Sequence, residues 1–165
     1  MLAVDAYEAL LSLKDSAGKI FSKEKVLMRL AECYYRLEKV QEGLSYLERL
    51  QADIAPKRIY TLFLLRGKFK DLQREFDQAA EQFSLSLQVY EQDVVGESAD
   101  ATVRGNIQFR LGWALIRSRK DVDRGIEVLQ EADKNLIDNA DLKLKLAQIL
   151  FQEKQDTKRA LELNT

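Results

Sequence analysis

The chain reads as an all-α protein of stacked antiparallel helix pairs, a helical solenoid, on three observations. Small residues recur within one helical pattern at Ala31, Gly67, Gly112 and Ala147, and each is followed 12 or 13 residues later by another, at Gly43, Ala79, Gly125 and Ala160. Successive units are 36, 45 and 35 residues apart, close to the roughly 34-residue period of a two-helix repeat. Finally, the 165 residues include seven glycines, a single proline at Pro56 and no long polar tract, so neither a disordered tail nor a multi-domain linker is indicated. A two-helix unit does not bury its apolar face alone, and a stack of them presents an extended concave surface, so the period points to a binding scaffold.

Each element follows from the local pattern. An N-terminal helix is expected within residues 1–20, because Ala3 to Lys14 carries Val4, Tyr7, Leu10 and Leu11 at helical spacing before Asp15-Ser16-Ala17-Gly18 breaks it. The first pair, residues 23–55, reads Leu27, Leu30-Ala31, Tyr34, Gly43 and Leu47. Ser22 is its expected N-cap, on a helix that runs through Leu37 to a turn at Glu38 to Glu42. The second pair, 57–92, carries Phe63, Arg66-Gly67, Phe76, Ala79 and Phe83. Residues 93–101 account for the 45-residue interval as a loop centred on Gly96, combined with some extension of the preceding helix. The third pair, 102–137, carries Leu111-Gly112, Trp113, Leu115, Gly125 and Leu129, with one extra residue in the turn Ser118 to Asp121. The fourth, 139–165, has Leu146-Ala147, Leu150 and Ala160, and is expected as a partial or capping pair with about two turns of second helix. In every pair the small residues let two helices approach closely.

The run Leu27, Leu30-Ala31, Tyr34, Gly43, Leu47 resembles the tetratricopeptide repeat, with permitted substitutions in its spaced apolar and small positions and Val40 where an aromatic usually closes the pair. The turn Gln73-Arg74-Glu75-Phe76-Asp77 is similar to that family's tight turn. The resemblance implies a right-handed array in which the first helix of each pair lines a concave groove. Carried onto this chain, the groove positions are Met28, Glu32 and Tyr35, then Leu64, Lys68 and Asp71, then Phe109, Trp113, Ile116 and Arg117, then Leu144, Gln148 and Phe151. The subclass that clamps a C-terminal carboxylate does not fit. Met28 and Glu32 replace its first lysine and asparagine, Lys68 stands where an asparagine belongs, and Arg110 alone matches an arginine position. What remains is a partly apolar groove suited to an amphipathic helix or an apolar peptide. Trp113 is the anchor candidate, or alternatively packs between repeats, or lies under the N-terminal helix. From Asn106 onward, Gln108 to Ser118 and Asp123 to Ile126 also look like the first repeat of the mitochondrial-fission adaptor family. That family is tail-anchored, and the two extra upstream repeats and the absence of an apolar tail after Thr165 keep anchoring from carrying over.

Composition narrows the chemistry. Cys33 is the one cysteine and there is no histidine, so an intrachain disulfide, a Cys/His zinc site and histidine-dependent catalysis are excluded. No catalytic residue, cofactor or metal is expected, because acids such as Glu48, Glu81 and Glu131 lie among lysines and arginines as a solvated face. A formal net charge of −1 gives no global attraction to nucleic acid. The clusters Lys57, Arg58, Arg66, Lys68, Lys70, Arg74 and Arg110, Arg117 around Trp113 leave an RNA-binding helical repeat as a minor reading, interrupted by Asp71, Glu75 and Asp77. No apolar run spans a bilayer and the N-terminus lacks a secretion signal, so an intracellular, cytoplasmic protein is expected. The expected function is non-catalytic binding of a partner helix or peptide by Met28, Tyr35, Leu64, Lys68, Phe109, Arg110, Trp113, Ile116, Arg117 and Phe151. The alternative is a structural subunit that stacks, or self-associates, through its C-terminal helices. The concave and convex faces both stay open as the interface.

Overall fold

The computed structural model describes residues 2–12, 22–94 and 100–163, and among them every regular element is helical. Helix α1 is Leu2–Ser12, α2 Lys23–Arg36, α3 Val40–Asp53, α4 Ile59–Leu72, α5 Phe76–Asp93, α6 Ala101–Ser118, α7 Val122–Asn135 and α8 Ala140–Leu163, with a 3-10 turn at Pro56–Arg58. The closest packing is within the pairs α2/α3, α4/α5 and α6/α7, the pairwise order of a tetratricopeptide-like helical solenoid. The chain divides into two compact units, Met1–Ala99 and Asp100–Thr165. The breaker at residues 15–18 and the loop centre at Gly96 lie outside the described residues.

In the first unit, the apolar stripes of α2, α3 and α4 meet in a core of Leu27, Ala31, Leu47, Leu50, Leu62, Leu65 and Phe69. A second cluster, Val4, Val26, Leu30 and Tyr34, seats α1 against α2. The Glu8 carboxylate adds a polar fastening, accepting hydrogen bonds from Tyr34 Oη at 2.8 Å and Tyr46 Oη at 3.0 Å. Glu24 ties the start of α2 to the turn before α4, accepting from the Ala55 amide at 3.2 Å and from Arg58 Nη1 at 2.8 Å. Ser22 occupies the N-cap position of α2 in an extended conformation, but its side chain makes no capping bond. In the second unit the core is Leu129, Ala132, Leu136, Leu142, Leu146 and Ile149. Asn135 Nδ2 donates to Gln108 Oε1 at 2.8 Å across α6 and α7.

The turns inside the pairs share one backbone solution. Glu38, Arg74 and Arg119 all have positive φ, at 56°, 61° and 59°. At the first, the Glu38 amide bonds to the Tyr35 carbonyl and the Lys39 amide to the Tyr34 carbonyl. The second repeats this 36 residues on, with Arg74 to Asp71 and Glu75 to Lys70. Both are Schellman closures, which satisfy the last carbonyls of a helix through a left-handed residue. Counted from the left-handed residue, the third turn holds one more residue before its second helix, the expected insertion. Asp121 uses it to cap α7, accepting from the Arg124 amide at 3.1 Å.

The small residues do not all act alike. Gly67 and Gly112 tighten their own pairs: a Cβ on Gly67 would meet the Phe83 ring at 2.5 Å, and one on Gly112 would meet the Gly125 carbonyl oxygen at 2.8 Å. Gly43 instead lies under Phe69 of α4, where a Cβ would overlap the ring, so it brings α3 against the following pair. The fourth unit departs from expectation. Residues 140–163 form one unbroken helix, and Ala147 is exposed where Ala31, Gly67 and Gly112 are buried. No glycine, proline or left-handed residue interrupts residues 140–163, so nothing in the backbone turns the chain into a second helix. The side chain of Ala160 lies outside the described ones.

Candidate functional site

In the first unit α2 contacts α4 directly, so the first helices of two successive pairs lie side by side. Helical spacing puts Met28, Glu32 and Tyr35 on one stripe of α2, and Leu64, Lys68 and Asp71 on one stripe of α4. All six are half-buried. The two stripes meet at Tyr35, whose ring receives the Lys68 ammonium 5.6 Å from its centroid. That ring also stands edge-on to Phe69, with centroids 5.8 Å apart and planes at 89°. Met28 and Tyr35 therefore serve the core with one edge and leave the other accessible. The arrangement is a shallow, partly apolar surface with a cation at its centre. Glu32 pairs with Arg29 at 3.0 Å on an exposed part of α2, a geometry that contributes little stability.

In the second unit Phe109, Trp113 and Ile116 of α6 pack against the core formed by α7 and α8. Lys145 lies 5.0 Å from the Phe109 centroid and 5.4 Å from that of Trp113, and Arg117 stands 5.9 Å from the same indole. Trp113 is half-buried and flanked by two cations. Arg110 and Arg117 are half-buried on α6. Phe151 is on α8 and 64% exposed, with Leu144 and Leu150 also exposed on that helix. The candidate positions therefore fall into a set on α2 and α4, a set on α6, and Phe151 on α8.

A polar cluster in the first unit escaped the sequence reading. Tyr34 and Tyr46 stack with centroids 5.5 Å apart and planes at 13°, over the shared Glu8 carboxylate, and Arg49 lies 5.3 Å from the Tyr46 centroid. The hydrogen bond to Glu8, followed by burial, holds the Tyr34 phenol well above its ordinary value; for Tyr46 burial comes first and the bond to Glu8 second. The three residues are 26 and 38 positions apart, and no local motif links such distances. Among the described residues there is no group of three or more Cys, Asp or Glu placed to hold a metal. None of the described helices is long and apolar enough to cross a membrane.

Comparison with known proteins adds one identification. Residues 25–53, spanning α2 and α3, match the family model for the tetratricopeptide repeat. Neither the curated proteins nor the solved structures contain a match to the chain.

Proposed function

We propose, from the match of residues 25–53 to the tetratricopeptide-repeat model, that the chain is a non-catalytic protein-binding module whose first unit receives a partner segment on the shared face of α2 and α4. The repeat supports protein–protein interaction in general, and the observation that carries the finer reading is the junction at Tyr35. There the stripes of the two first helices join, the Lys68 ammonium lies over the Tyr35 ring, and the contributing residues are all half-buried. Met28, Tyr35 and Leu64 supply apolar contact, while Lys68 favours an acidic group on the partner. An aromatic held edge-on by Phe69 loses little rotamer freedom on binding, which makes Tyr35 the expected hot spot. On α6, Phe109, Arg110, Trp113, Ile116 and Arg117 offer a second set, with Trp113 as its largest apolar surface.

The test is affinity isolation with the whole chain, comparing the parent with Lys68→Glu, Tyr35→Ala, Phe109→Ala and Trp113→Ala. Lys68→Glu is expected to cut partner recovery by about tenfold with helicity unchanged, because a half-buried cation is replaced by a like charge to the acidic partner. Unchanged recovery with Lys68→Glu and Tyr35→Ala removes the α2/α4 face from the proposal, and loss only with Phe109→Ala and Trp113→Ala moves the interface to α6.

A further inference from the structure

In two of the helix pairs the small residue of the first helix is the floor of a seat for the second. Gly67 lies beneath Phe83 of α5, and Gly112 beneath Leu129 of α7 and the Gly125 carbonyl. Ala147 holds the same register on α8, 35 residues after Gly112, but it is exposed. Leu150, one turn on, is 44% exposed, and beside it Leu144 and Phe151 are 59% and 64% exposed. On the opposite side of the same helix Leu142, Leu146 and Ile149 are buried in the unit's core. The floor of the corresponding seat is exposed, and residues 140–163 form one helix with no turn after Ala147.

Charge distinguishes the occupants. At 3.6 residues per turn, Lys143, Lys154 and Lys158 fall on the exposed face with Ala147 and Leu150, while Asp141, Glu153 and Asp156 fall toward the other side and Glu162, in the last turn, falls in line with Leu144, which leaves this face with a net positive charge. Lys154, Lys158 and Phe151 line one apolar-rich depression on this face, with Gln155, Thr157 and Leu161. A second copy of α8 laid antiparallel over Ala147 and Leu150 would set Lys143 against Lys154 and Lys158. We propose that the exposed face of α8 receives an acidic amphipathic helix from another protein, which covers Ala147 and Leu150 as α5 covers Gly67 and α7 covers Gly112. Its apolar stripe meets Leu144, Ala147, Leu150 and Phe151, and its carboxylates meet Lys143, Lys154 and Lys158. The proposal stands on α8 alone and does not depend on the α2/α4 face.

Two labelled helical peptides of about 18 residues, identical in their Leu/Ile stripe but flanked by Glu in one and Lys in the other, provide the probe. Titrated with the whole chain and followed by anisotropy, the Glu peptide is expected to bind at least about tenfold more tightly than the Lys peptide. The double variant Lys154→Glu/Lys158→Glu is expected to reverse that order. Ala147→Arg is expected to abolish binding of the Glu peptide by filling the seat. Both are exposed substitutions, and circular dichroism checks that the helices persist. Equal affinity for the two peptides, or no binding at about 100 µM chain, overturns the proposal. So does a concentration-dependent dimer by sedimentation that Ala147→Arg disperses, because the occupant is then a second copy.

Discussion

A methyl group at Gly112 would lie 2.8 Å from the Gly125 carbonyl oxygen and 2.8 Å from Leu129 Cγ. The first obstacle is backbone, which does not swing aside as a side-chain tip does. Alanine is favoured over glycine inside a helix by about 1 kcal/mol, and overpacking costs about 1 to 3 kcal/mol. The clash wins here because α6 and α7 would have to separate along their length. Gly112→Ala is expected to destabilise the second unit by about 1 to 2 kcal/mol in urea unfolding followed by Trp113 emission; a neutral result would mean that the pair has slack. At Ala79, buried completely on α5, a larger residue meets the same limit.

The turns and α1 are where whole elements can be tuned. Glu38 and Arg74 sit at φ 56° and 61°, a conformation that costs a residue with a Cβ about 1 to 2 kcal/mol. Replacement by glycine removes that strain but adds freedom to the unfolded chain, about 0.4 to 1 kcal/mol. The net expectation for Glu38→Gly or Arg74→Gly is a gain of about 0.5 to 1 kcal/mol, read as a higher denaturant midpoint with the same slope. The fastening of α1 has a pH signature instead. Tyr34 is raised above its ordinary value of 10.0 in the folded chain, so its protonated form is preferred there. That contribution is intact below pH 10.0 and is lost as pH rises beyond it toward the folded value. The unfolding midpoint is expected to fall above about pH 10 more steeply in the parent than in Tyr34→Phe. Equal slopes would show that the Glu8 bond does not persist in solution.

At the scale of the molecule, each unit owns a core: Leu27, Leu47, Leu65 and Phe69 in one, Leu129, Leu136, Leu142 and Ile149 in the other. A unit with its own core is expected to fold by itself. Residues 100–165 expressed alone should remain helical and keep the half-buried Trp113 emission of the whole chain. A red-shifted, non-cooperative product would show that the second unit requires the first. Trp113 is the one tryptophan of the sequence, so its emission follows this unit alone.

The helical class, the three complete pairs and their turns were legible in the chain because each depends on residues close in sequence. Apolar spacing sets the buried stripe, and a small residue followed 12 or 13 positions later by another marks the pair. The match over residues 25–53 falls where Leu27, Ala31, Tyr34 and Gly43 first displayed the pattern. The sites were less legible. Tyr35 and Lys68 meet across two helices, Trp113 is flanked by a lysine 32 residues away, and Glu8 reaches tyrosines 26 and 38 positions on. The sequence by itself determined that helices form and which face of each is apolar, since periodicity is a property of neighbouring residues. Only the tertiary structure decided that Gly43 serves the next pair, that residues 140–163 form one helix, and that Ala147 is exposed on it, because burial depends on what other elements bring to the same place.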